Sequence, residues 1–169
     1  CAAEGALRGQ FDAIVTAPVQ KSALDAADAP FSGHTEYFQA LAATEHVVMM
    51  LVATAADRRP PLRVALTTTH LPLRAVADAI EPLALERCLR VLWRGLQRDY
   101  GIAAPRISVL GLNPHAGEDG HLGDEERRII EPTLARLRSE AMHLDGPLPA
   151  DTAFTPRRLA HTDAYLAMY

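Results

Sequence analysis

Apolar positions along this chain fall into two kinds of run: short uninterrupted ones, and longer ones spaced at three and four residues. Phe11-Asp-Ala-Ile-Val-Thr-Ala17 reads as a buried strand closed by Pro18, and Gln20 to Ala27 as a short helix after it. A strand followed by a helix opens a βαβ unit. Pro30 to Thr35 is a loop, and Thr35 to Ala43 carries helical spacing with Thr35 placed to cap it. His46 to Ala53 is a strand that turns through the polar segment Ala55 to Pro61 into the strand Leu62 to Leu66, so this pair predicts a hairpin. Pro72 to Ile80 is helical, and Pro82 opens a longer helix through Leu85, Leu89, Leu92 and Leu96 that Gly101 ends. The strand Ile107 to Leu112 precedes a glycine-rich loop, Asn113 to Gly123, and a helix from Asp124 to Glu140 that is kinked or restarted at Pro132. Asp145 to Thr152 is a rigid loop and Asp163 to Tyr169 a last strand. Strands alternating with helices around one hairpin give an α/β chain with a mixed, largely parallel sheet flanked by helices.

Composition narrows the class without naming it. The 169 residues are 49% hydrophobic and 22% charged, ordinary for a globular domain, and we find no repeat or low-complexity linker. A net charge of −4 argues against nucleic acid and anionic membrane as partners and favours a small soluble substrate. Cys1 and Cys88 lack zinc-like spacing and are too few for a disulfide framework, which points to the cytoplasm, and Cys88 falls on a helical core position. No secretory signal opens the chain, and Cys1 in place of a methionine leads us to expect sequence upstream. Lys21 is the only lysine and follows the first strand.

Candidate chemistry gathers behind the strands. His70, in Thr67-Thr-Thr-His-Leu-Pro-Leu-Arg74, and His115, in Gly111-Leu-Asn-Pro-His-Ala-Gly-Glu118, each follow an apolar run, so both imidazoles emerge at carboxyl strand ends, where α/β sheets bind ligands. Imidazole is the commonest protein ligand for a divalent metal, but a catalytic site usually takes three protein ligands and only two are visible. Each histidine equally suits a local strand-end hydrogen bond. His34 and Thr35, at a loop-to-helix junction, suit a phosphate or carboxylate, or simply an N-cap. Asp151 is a carboxylate for proton transfer or ligand support, or an Asx-turn residue, and His121 suits a solvated role better than a ligand's. His46, His143 and His161 read as structural. The Asn113 to Gly123 loop has no Walker pattern and no Gly-x-Gly-x-x-Gly.

Five blocks, Thr16-Ala-Pro-Val-Gln-Lys-Ser22, Pro30-Phe-Ser-Gly-His-Thr-Glu36, Thr68-Thr-His-Leu-Pro-Leu-Arg74, Gly111-Leu-Asn-Pro-His-Ala-Gly117 and Gly146-Pro-Leu-Pro-Ala-Asp-Thr152, together resemble the 4-hydroxythreonine-4-phosphate dehydrogenase family of pyridoxal phosphate biosynthesis. The resemblance implies an isocitrate/isopropylmalate dehydrogenase-like fold, of which residues 1–169 are a central segment of a longer two-domain enzyme. It further implies oxidation of 4-phosphooxy-L-threonine by NAD or NADP, followed by decarboxylation to 3-amino-2-oxopropyl phosphate. His70 and His115 match metal ligands, with zinc expected first and magnesium, manganese or cobalt as alternatives, while His34 and Thr35 match substrate-binding positions. The third ligand would be the histidine of a His-Asp-Gln-Gly motif directly after a strand ending like Ala167-Met-Tyr169. The family also implies a homodimer with a shared active site. The alternatives are a relative oxidising threonate or erythronate phosphate or a diol, and a metal-dependent hydrolase or lyase on the same histidines.

Overall fold

A computed structural model describes residues 2–19, 33–55 and 58–169. Lys21, the helix expected over Gln20 to Ala27 and the loop residues Pro30 to Ser32 lie outside the described residues. The chain divides into two compact units, residues 1–47 and 48–169.

The first unit holds helices α1 (Ala2–Leu7) and α2 (His34–Leu41). Phe11 to Ala17 is not a strand. Its backbone is irregular, with Phe11 and Val15 exposed. An apolar run becomes a strand only where a neighbour completes its ladder, and no such partner occurs among the described residues of this unit.

The second unit is built on a five-stranded sheet of order β1-β2-β5-β3-β4. Its strands are β1 (Met50–Ala55), β2 (Arg58–Leu66), β3 (Arg106–Leu110), β4 (His143–Leu148) and β5 (Ala164–Ala167). The predicted hairpin is present as the antiparallel β1–β2 pair, with β2 starting earlier than the pattern suggests. The proline pair at 60 and 61 is accommodated where the register shifts beyond Ala53↔Leu62, since a bulge does not need their missing N–H donors. The other contacts are parallel: β5 lies between β2 and β3, and β4 closes the far edge. Asp145-Gly-Pro-Leu148, expected as loop, belongs to β4. Pro147 is tolerated because β4 pairs on one side only and its register with β3 shifts between Ser108 and Leu110.

Helices cover both faces of the sheet. Helix α3 (Leu73–Ala79) follows β2, and α4 (Pro82–Tyr100) has Pro82 in its first turn and ends at Gly101, whose φ of 66° is the left-handed cap that glycine adopts without penalty. Leu85, Cys88, Leu89, Leu92 and Leu96 form its buried stripe. They pack with Ile107, Val109, Ala164 and Leu166 and with Leu134 and Leu137 of α5 (Glu131–Ser139). Each fully buried leucine contributes about 1.5–3 kcal/mol. On the opposite face Tyr165, Leu110 and Leu148 pack with Ala153 of α6 (Ala150–Ala153) and Leu159 of α7 (Pro156–Leu159). Alternation along β5 thus sends Ala164 and Leu166 to one layer and Tyr165 and Ala167 to the other, as expected of a central strand buried on both sides. The helix expected from Asp124 to Glu140 does restart at Pro132: residues Glu126–Ile130 form a π-type turn, and α5 begins at Glu131.

Candidate active site

Strands β2, β5 and β3 end level with one another, because Leu166 is paired with Ala65 on one side and Val109 on the other. The segment leading to His70 is tied to β5 beyond the ladder. Thr67 N–H donates to Ala167 O (2.9 Å), Thr68 N–H to Met168 O (3.1 Å), and the Thr68 hydroxyl to the same Met168 O (2.8 Å). His70 and His115 therefore emerge from strands on either side of β5 at one sheet edge. His70 lines a cavity of about 270 Å³ and His115 one of about 480 Å³, and Tyr169, just past β5, lines both.

Both histidines are exposed, and both have left-handed backbones, with φ of 58° at His70 and 52° at His115. A non-glycine residue there costs about 1–2 kcal/mol. Such strain persists only where the surroundings over-determine it, and it clusters at functional sites. At His115 it extends over a whole turn, since Ala116, Gly117, Glu118 and Asp119 also have positive φ. His115–Gly120 is thus a left-handed turn that Pro114 leads into, closed by Ala116 N–H to Asn113 O (3.1 Å) and Leu122 N–H to Gly117 O (3.0 Å).

Glu126 braces this turn. Its side chain is buried, with 3% of the residue exposed, and one carboxylate oxygen accepts the N–H groups of Leu112 and Asn113, both at 2.7 Å. The other accepts the Asn113 side-chain amide at 3.0 Å. A hydrogen bond to a charged group contributes about 1.5–3 kcal/mol, enough in combination to offset much of the turn's strain. Asn113 also donates to Glu125 (2.7 Å), and that bond is the main reason the Glu125 carboxyl sits below its usual range.

Asp151 stands in the first turn of α6 with Oδ2 3.7 Å from His115 Nδ1, both side chains more than half exposed, and lines the same cavity as His115. His34 and Thr35 belong to the first unit, where they open α2. Gly33 is the N-cap residue, so Thr35 is not the cap, and the His34 ring stacks on Phe38 at 6.1 Å. His121 is exposed at the end of the left-handed turn. The pattern of the sequence had no means to single out Glu126, because Asp124-Glu-Glu126 reads as ordinary acidic residues at a helix start.

A larger cavity of about 820 Å³ opens among Arg106, His143, Asp145, Arg157, Arg158 and His161. It lies at the amino ends of β3 and β4, away from the edge where such sheets bind ligands. Two of its arginines are already paired, Arg106 with Asp163 and Arg158 with Asp145. Among the described residues no three His, Cys, Asp or Glu side chains converge as a metal site. The donors nonetheless suit a borderline divalent ion: two imidazoles at one sheet edge, with a carboxylate beside one of them.

A mixed, mostly parallel sheet with flanking helices and a ligand edge of this kind is the isocitrate/isopropylmalate dehydrogenase-like fold. Within it, residues 1–169 match the model of the pyridoxal phosphate biosynthetic protein PdxA, and the chain belongs to that family. It is 60% identical over 168 residues to a 4-hydroxythreonine-4-phosphate dehydrogenase of Ectopseudomonas mendocina, covering 99% of this chain and 48% of that protein. The crystal structure of a 4-hydroxythreonine-4-phosphate dehydrogenase from Klebsiella pneumoniae superposes with a TM-score of 0.87 at 39% identity, over 99% of this chain and 49% of that one. A terephthalate 1,2-cis-dihydrodiol dehydrogenase from Burkholderia xenovorans superposes at 0.72 with 29% identity, over 99% and 51%. The chain spans about half the length of the curated relatives it matches. Among the described residues no helix is long and apolar enough to cross a membrane.

Proposed function

We propose that the full-length protein is a metal-dependent oxidoreductase that oxidises 4-phosphooxy-L-threonine with NAD or NADP. The resulting keto acid loses carbon dioxide to give 3-amino-2-oxopropyl phosphate, on the route to vitamin B6. The observation that carries this reading is the placement of His70 and His115 at level strand ends on either side of β5, in left-handed backbone, with Asp151 beside His115. The names of the relatives support the same substrate class.

In this reading His70 and His115 hold the metal through their imidazole nitrogens, with zinc the first choice. When bound, the metal supplies Lewis acidity at the substrate oxygen and the nicotinamide accepts a hydride. The carboxylate of Asp151, exposed and beside His115, takes the proton that the substrate hydroxyl loses on oxidation. His34 and Thr35 bind substrate through the imidazole and the hydroxyl. The full-length protein works in the cytoplasm as a homodimer with an active site shared between subunits.

A relative acting on an unphosphorylated diol is the second reading, favoured by the similarity to the terephthalate dihydrodiol dehydrogenase. The deciding experiment is an assay of the full-length protein with NAD and NADP against 4-phosphooxy-L-threonine, threonate and erythronate phosphates and a cis-dihydrodiol, with and without chelator. Chelator-sensitive nicotinamide reduction with the phosphorylated threonine is expected. Reduction with the diol alone selects the second reading, and product without nicotinamide reduction sinks both. His70→Ala and His115→Ala are each expected to remove bound zinc, measured by elemental analysis, while leaving the thermal midpoint within a few degrees of the parent, because exposed strand-end side chains contribute little to packing.

A further inference from the structure

We propose that Glu126 is a positioning residue for His115: its buried carboxylate holds the left-handed turn in the one conformation that aims the imidazole at the sheet edge, and so sets metal affinity without touching the metal. This rests on the proposed function, in which His115 is a ligand.

Three features carry it. The bonds from Leu112 N–H, Asn113 N–H and the Asn113 amide converge on a single side chain. These donors lie immediately before Pro114 and His115, so the carboxylate fixes the backbone direction from which the turn departs. The packing around the carboxylate is also too close for any larger backbone neighbour. A Cβ at Gly117 would stand 2.8 Å from Glu126 Oε2, and one at Gly111 would stand 3.0 Å from Oε1 and 2.9 Å from the Ala116 Cα. Gly117 has, besides, a φ of 84°. The turn and the carboxylate are thus fitted to each other, and a bistable or loosened turn would move His115 first. Groups that orient a metal-ligating histidine typically change metal affinity by about 10- to 100-fold when removed.

The test uses the full-length protein with zinc as probe. Zinc Kd is measured by competition with a chromophoric chelator, and hydrogen exchange is followed in the peptide covering residues 111–123. Glu126→Gln keeps the shape but places an amide donor against the Asn113 side chain. Gly117→Ala strains the turn from the other side with Glu126 intact, and serves if the first variant folds poorly. His115→Ala is the reference. We expect faster exchange in the turn and a zinc Kd raised about 10- to 100-fold in either variant, with Glu126→Asp, which keeps the charge, falling between them and the parent. If the turn exchanges faster but zinc Kd stays at the parental value while His115→Ala loses zinc, this inference is overturned and the proposed function stands. If His115→Ala itself keeps the parental Kd, the metal reading falls and this inference with it.

Discussion

Asp151 and His115 sit 3.7 Å apart in a setting where water competes for both, so their contact does little to fix the imidazole. An exposed contact of this kind is worth at most about 1 kcal/mol even between two full charges, a factor of at most about five in affinity. Loss of a general acid or base, by contrast, costs about 100- to 10,000-fold in rate. Asp151→Asn should therefore lower kcat by at least about 100-fold while zinc Kd moves by less than about fivefold. A matching loss in both would make Asp151 a support for the ligand instead of a proton carrier. The placement of His70 and His115 just past strand ends was legible in the sequence because each follows an apolar run, whereas Asp151, expected in a rigid loop, lies in the first turn of α6. Glu126 was not legible, since burial distinguishes it from Glu125 and Asp124 and no local pattern encodes that burial. Left-handed backbone at Ala116, Glu118 and Asp119 was equally hidden, because propensity favours glycine there and tertiary bonds override it.

Between elements, the joint of α4 with α5 is polar at its rim and apolar beneath. Glu86 of α4 pairs with Arg136 of α5 at 2.5 Å and with Arg90 at 2.8 Å, and Arg90 reaches Glu140 beyond α5. Arg136 first, then Arg90, holds the Glu86 carboxyl down to about 2 from an ordinary 4.5. A depressed carboxyl stabilises the fold above its unfolded pKa and loses that contribution as pH falls through the folded value. The parent should lose thermal stability between about pH 4.5 and pH 2 more steeply than Glu86→Gln, measured by circular dichroism across that range. Equal slopes would mean that the pair is too solvated to matter. Beneath the rim, Leu89 and Leu134 are fully buried, and truncation of either to alanine should cost about 2–5 kcal/mol in denaturant unfolding. Cys88 in the same stripe has its thiol pushed up to about 12 by burial, so it should resist alkylation until the protein unfolds. These helices were readable from spacing and from Pro82, Gly101 and Pro132, whose backbone constraints act locally. What spacing misread, Phe11 to Ala17 as strand and Gly146-Pro147 as loop, depends on whether a neighbouring strand is there to pair.

For the whole molecule, the decisive feature is the insertion of the last strand between β2 and β3, which no periodicity encodes. Sequence order would place β2 beside β3. With β5 between them, the chain just past Met168 stands between the two histidine segments, and Tyr169 lines the cavities of both. β5 runs parallel to both neighbours, so the segments carrying His70 and His115 leave the same sheet edge on either side of it, and in the proposed function the two imidazoles share one ion. That has a measurable consequence in the energetics of zinc. Two independent sites would give additive free energies, so the double variant would lose affinity by the product of the single losses. Ligands of one ion share it: once either imidazole is gone the remaining donor is a poor site, and removing it costs little more. The His70→Ala, His115→Ala double variant should therefore bind zinc far more tightly than that product predicts, with a coupling of at least about 1 kcal/mol. Additive losses in the same competition titration would assign the histidines to separate ions, and the shared site at the end of β5 would have to be abandoned.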